Sequence, residues 1–143
     1  MDVSPKNAPI LLSDEQVRQY VVNGYVILKP SVPTHIHQVV CRKLTACLNE
    51  GGNPGNNVLP KVPEMRHVLN SPEVRGALIS VLGEDYIEHP HRHCHHLSPA
   101  TAPATDAKAR TDAVAANCHQ DAYTPLCRPR PHYSRYARIM YYP

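Results

Sequence analysis

The spacing of apolar residues changes along the chain, and each change marks an element. Residues 1–12 form a polar, proline-bearing lead-in. Ser13 and Gln16 then stand at the spacing of a capping box, with Leu12 and Val17 placed to staple across it, so a helix begins here. It carries Val17, Tyr20 and Val21 on one face and stops at Gly24, a residue free to adopt positive φ. Residues 25–28 read as a short strand. A second helix opens near Thr34, repeats Ile36, Val39, Val40, Leu44, Cys47 and Leu48 at helical spacing, and ends at Gly51-Gly52. Residues 51–63 are rich in Gly, Asn and Pro and read as a loop. The next helix has Ser71 as its N-cap, Pro72 in its first position and Gly83 beyond its end, with Val74, Ala77, Leu78, Val81 and Leu82 as its buried stripe. Residues 85–97 look extended, and residues 98–117 form an Ala/Thr-rich stretch without periodicity, read as a long loop. Residues 135–142 have the β-propensity of a strand. There is no internal repeat.

Composition alters this picture mainly toward the C-terminus. The 143 residues suit one domain, yet 28 of the 31 Leu, Ile and Val lie in residues 1–97, which leaves a tail unable to fold on its own. Phe and Trp are absent, so the core lacks large side chains and marginal stability is expected. The formal charge of +3 comes wholly from the tail: residues 1–97 carry nine basic and nine acidic side chains, residues 98–143 six and three. Basic residues alternate with tyrosines near the C-terminus, but the total charge is far below the footprint of a nucleic-acid-binding protein, and no such partner is expected. Cys41, Cys47, Cys94, Cys118 and Cys127 form an odd set without close pairing. No apolar run near Met1 suits a signal peptide or a membrane span. These features predict a cytoplasmic protein without membrane contact.

Two constellations carry candidate chemistry. In an extended segment His119 and Asp121 of His119-Gln120-Asp121 project to one face, so that an imidazole and a carboxylate converge as two thirds of a facial triad for Fe(II). The second constellation is His89, His91, His93, His95 and His96 with Cys94. On a strand the four odd-numbered histidines share a face suited to zinc or nickel, to which Cys118 and Cys127 are available as further donors. The spacing matches no zinc module, and the favoured reading is a polar strand bordering a pocket. Residues 128–132 read as a solvated loop, and Tyr141 and Tyr142 point to opposite faces of their strand. No nucleophile stands in register with a base, and there is no phosphate loop or dinucleotide fingerprint, so hydrolase and kinase readings lack support.

The order of motifs resembles the phytanoyl-CoA dioxygenase family of Fe(II)- and 2-oxoglutarate-dependent oxygenases. The carriers are Leu12-Ser13-Asp14-Glu15-Gln16 with Asn23-Gly24-Tyr25-Val26-Ile27-Leu28, then Asn70-Ser71-Pro72-Glu73-Val74 with Leu82-Gly83-Glu84-Asp85-Tyr86, then His119-Gln120-Asp121, and last the run from Tyr136 to Tyr142. The resemblance implies an α+β fold in which N-terminal helices, residues 13–84, pack on the first strands of a truncated double-stranded β-helix, or jelly roll, in residues 85–143. It implies that His119 and Asp121 ligate iron, that Gln120 lies beside 2-oxoglutarate, and that Met140 flanks it. It implies hydroxylation of a small-molecule substrate. The family's distal iron-binding His and its 2-oxoglutarate-binding Arg have no counterpart here: the sequence ends 22 residues after Asp121, His132 is too near, and Arg138 precedes any such histidine. The 143 residues are therefore expected to be an inactive N-terminal part, with unpaired strand edges that open a route to self-association. The alternatives are a non-catalytic binding module of the same fold and a histidine-cluster zinc protein.

Overall fold

In the computed structural model residues 8–94 and 136–143 are described, and they belong to one compact unit. Their regular structure is helical: α1 (Asp14–Asn23), α2 (Thr34–Gly51), a 3₁₀ turn (Gly55–Asn57), α3 (Val58–Lys61), α4 (Met65–Leu69) and α5 (Pro72–Leu82). No helix among the described residues is long and apolar enough to cross a membrane.

The two helices with side-chain caps start where their capping residues dictate. Ser13 accepts from the Gln16 backbone while the Gln16 side chain accepts from the Ser13 backbone, so two otherwise orphaned N–H groups are satisfied at the start of α1. Gly24 closes the same helix at φ 80°, donating to the Tyr20 carbonyl at 2.9 Å. Ser71 caps α5 by accepting from Val74, and its own hydroxyl donates to the Val68 carbonyl at 2.8 Å, which joins α4 to α5 in a buried turn. Along α5 the burial is narrower than its apolar stripe suggests. Val74, Gly76 and Ala77 are buried, whereas Leu78, Val81 and Leu82 are half-buried. On α1 nothing is buried, and Val21 is 74% exposed.

The α+β jelly-roll expectation is overturned: among the described residues there are helices and no strand. Residues 25–28 are irregular in hydrogen bonding and have no ladder, as do residues 85–94 and 136–142. The physical reason is that high β-propensity leaves a backbone unpaired until a second edge lies beside it, and here the neighbouring groups are side chains and helix ends. Residues 10–12 illustrate the alternative. Ile10 donates to the Pro72 carbonyl at 2.9 Å and Leu12 to the Ser80 hydroxyl at 3.0 Å, so this segment is tied along α5. Gly76 makes the approach possible, because a Cβ there would overlap the Ile10 backbone.

The expected loop at residues 51–63 is instead the centre of the core. Val58, Leu59 and Val62 from α3 and its end pack with Val40 of α2, and Val40 and Val62 are fully buried. Pro60 sits within the first turn of α3, where its missing N–H forfeits no intrahelical bond, and Pro63 separates α3 from α4. Ile36, Leu44, Cys47, Met65, Leu69, Cys94 and Tyr141 surround this cluster. Lys43 of α2 pairs with Glu64 just before α4 and so bridges the helices around the core.

Candidate functional site

His119, Gln120 and Asp121 lie outside the described residues, as do His95, His96, Cys118 and Cys127. Met140 is described: it is 53% exposed on the segment whose next residue, Tyr141, packs onto the core. The Tyr141 hydroxyl lies 2.7 Å from His37 Nδ1 on α2, with the two rings 5.8 Å apart, so a tyrosine tethers the C-terminal segment to the second helix. Burial raises the Tyr141 phenol above its ordinary pKa, with the nearby Cys41 thiol as the smaller cause. The phenol therefore keeps its proton through the neutral range.

The described part of the histidine cluster has no regular secondary structure, and exposure alternates only from His91 to Cys94. His89, His91 and His93 face outward, while Arg92 and Cys94 are half-buried. The His91 N–H donates to His89 Nδ1 at 3.1 Å, and the two rings stand 6.4 Å apart at 58°. Arg92 pairs with Glu88 and donates to the Pro90 carbonyl at 2.9 Å. Among the described residues no three His, Cys, Asp or Glu side chains are grouped to hold a metal ion.

Two asparagines fix this segment, and sequence reading missed both. Asn53 Oδ1 accepts from Gly55 at 3.0 Å and from Cys94 at 3.2 Å, and Asn53 Nδ2 donates to the Cys94 carbonyl at 2.6 Å. The same Nδ2 lies 3.1 Å from His93 Nε2. Asn56 Oδ1 accepts from the Arg92 N–H at 2.9 Å. An Asn side chain reproduces the two-sided pattern of a backbone unit, which is how one residue replaces a strand partner here. The available signal was the run Asn53-Pro54-Gly55-Asn56-Asn57, whose composition marks a side-chain-bonded turn. Cys94, held in this way against the core, has its thiol pKa raised by burial first and by the neighbouring Cys47 second. Cys94 thus contributes its side chain to the packing around the core cluster.

Two surface clefts flank α5. One, of about 530 Å³, is lined largely by apolar side chains, among them Ile10, Leu11, Leu12, Ile27 and Leu28, with Glu73 and Lys29 as its charges. The other, of about 340 Å³, is polar and includes Ser31, Arg66, His67 and Ser71. Glu73 accepts from the Ser31 N–H at 3.0 Å, the principal cause of its lowered pKa, while its second oxygen is shielded and has no hydrogen-bond partner. The chain matches no protein-family model, no curated protein and no solved structure.

Proposed function

We propose that this chain supplies two iron ligands of an Fe(II)- and 2-oxoglutarate-dependent dioxygenase of the phytanoyl-CoA dioxygenase type, acting on a small-molecule substrate in the cytoplasm. The observation that carries the reading is the order of motifs in the sequence: the Ser13 and Ser71 helix starts, then His119-Gln120-Asp121. The capped helices α1 and α5, formed on those first motifs, are compatible with it. The proposal does not extend to jelly-roll strands, and the role of Met140 beside 2-oxoglutarate is part of the same reading.

The donor set fits the metal, since a neutral imidazole and a carboxylate are ligands that non-haem Fe(II) accepts on one face. His119 and Asp121 would hold the iron, and Gln120 would lie beside the co-substrate. Bound iron with 2-oxoglutarate supplies the oxidising power for hydroxylating an unactivated C–H bond, while the protein binds and orients the reactants. Two protein ligands predict weak, readily exchanged Fe(II) binding, which 2-oxoglutarate would strengthen. Anaerobic Fe(II) titration with and without 2-oxoglutarate measures this directly. His119→Ala and Asp121→Ala should each abolish the coupled binding. Retention of full binding in both variants, or failure of 2-oxoglutarate to tighten it, would remove the proposal.

A further inference from the structure

Asn23 ends α1 and Gly24 follows it, and of the asparagines in the sequence only this one precedes a glycine. Where the next residue has no side chain, its backbone nitrogen can approach an asparagine's side-chain carbonyl closely. Asn23 and Gly24 are both exposed, and a Cβ at Gly24 would meet nothing beyond its chain neighbours within 4 Å, so water reaches them. Asn53 is barred from the same approach because Pro54 has no N–H, and Asn70 precedes the buried Ser71. One bond holds the Gly24 nitrogen in place: its N–H donates to the Tyr20 carbonyl at 2.9 Å, closing the last turn of α1.

We propose that Asn23 is a site of spontaneous, one-way modification, in which the Gly24 nitrogen closes on the Asn23 side chain whenever α1 opens. The nitrogen loses its proton to solvent and bonds to Cγ of Asn23, the Cγ–Nδ2 bond breaks, and ammonia leaves a cyclic succinimide. Water then opens the ring at either carbonyl. The net change is asparagine plus water to ammonia plus an aspartyl or isoaspartyl residue, with no oxidation or reduction. The helix sets the rate. α1 has 10 residues and buries none of them. Isolated helices shorter than about 12–15 residues are marginal in water, so opening of α1 is frequent. Both products then oppose its return. No basic residue stands in the last turn, so a carboxylate at position 23 meets the negative end of the helix uncompensated. The isoaspartyl form also inserts a methylene into the main chain before Gly24, which displaces the N–H from Tyr20. No residue of the iron reading takes part.

The test is timed incubation of the 143-residue chain at neutral pH, followed by peptide mass mapping with chromatographic separation of the aspartyl and isoaspartyl products. Asn23 should convert first among the asparagines, and Asn23→Gln should leave its peptide unmodified over the same period. Ser13→Ala removes the capping box and should accelerate conversion at Asn23 roughly fivefold, the change in open population that loss of a typical N-cap produces. Amide exchange at Gly24 should rise by the same factor. In urea, where α1 is open in both, Ser13→Ala and the parent should convert at one common, faster rate. Earlier conversion at another asparagine overturns the proposal, as does an Asn23 that converts no faster in urea than in the folded chain. Equal folded-state rates in Ser13→Ala and the parent, despite faster Gly24 exchange in the variant, would also overturn it.

Discussion

Glu73 shows how much one side chain can hold in a fold with few buried residues. It lies in the first turn of α5, where the helix end favours a negative charge, and it receives the Ser31 N–H from the segment leading into α2. Both interactions favour the ionised form, and the Ser31 bond leads in lowering its pKa below the ordinary value. In the unfolded chain the carboxyl titrates higher, so as pH falls the unfolded state takes up this proton first. The stabilisation is complete above the ordinary glutamate range and is lost as pH drops through that range to the lowered folded value. Glu15 beside Arg18 and Glu64 beside Lys43 are shifted in the same direction, so the acid limb has several contributors. Glu73→Gln retains an acceptor for Ser31 but cannot ionise. Denaturant unfolding from neutral pH to about pH 3 should therefore show a shallower loss of stability in this variant than in the parent. An unchanged slope would mean that the Ser31 contact does not distinguish the two charge states.

Among the elements, legibility followed the chemistry of the ends. Ser13 with Gln16, Ser71 with Pro72, and Gly24 act locally, and the structure starts α1 and α5 and ends α1 where those residues stand. By contrast, α3 and α4 escaped notice because Pro60, Pro63 and the Asn/Gly-rich run before them signal a loop, although Val58, Leu59 and Val62 already stand at helical spacing. The strands failed for a different reason. A strand is a property of a pair, and residues 25–28, 85–97 and 136–142 were judged singly; where described, they are held by Asn53, Asn56 and His37 or remain unpaired. The iron pair at His119 and Asp121 remains a reading of sequence alone. Gly76 gives an element-scale prediction. Glycine inside a helix ordinarily costs about 0.5–1 kcal/mol relative to alanine, so Gly76→Ala should stabilise if the site were open. It is closed by the Ile10 backbone, which cannot turn away as a side chain would. Relief of the overlap requires residues 10–12 to leave α5, with loss of the Ile10–Pro72 and Leu12–Ser80 bonds. Net destabilisation of about 1–3 kcal/mol is expected. Amide exchange should accelerate at Ile10 and Leu12, and a stabilised variant with unchanged protection would contradict the close approach.

At the scale of the whole molecule, the distribution of burial sets how the chain should unfold. Val40, Val58, Leu59 and Val62 form a core of medium-sized side chains, while Val21, Val22, Tyr25, Ile27 and Ile87 stay exposed. The absence of Phe and Trp from the sequence explains the scale of the core, because no single residue can fill the space between helices. Val40 is fully buried on α2 and packs in the cluster supplied by α3, at the centre of the contact that Ile36, Leu44 and Cys47 of α2 surround. Removing its two terminal carbons forfeits their transfer free energy and leaves a void that helices joined by Pro-containing turns close only in part. A cost of about 2–3 kcal/mol follows. Against the 5–15 kcal/mol typical of folded domains, that is a large share for a core this small. Val22, 71% exposed at the end of α1, supplies the control, since truncating it removes little buried surface. Val40→Ala should lower the urea midpoint clearly and Val22→Ala scarcely at all, with both variants retaining the parental m-value if unfolding stays cooperative. Equal effects would show that stability does not reside in the α2–α3 cluster. A reduced m-value in Val40→Ala alone would show that unfolding of that variant is no longer two-state.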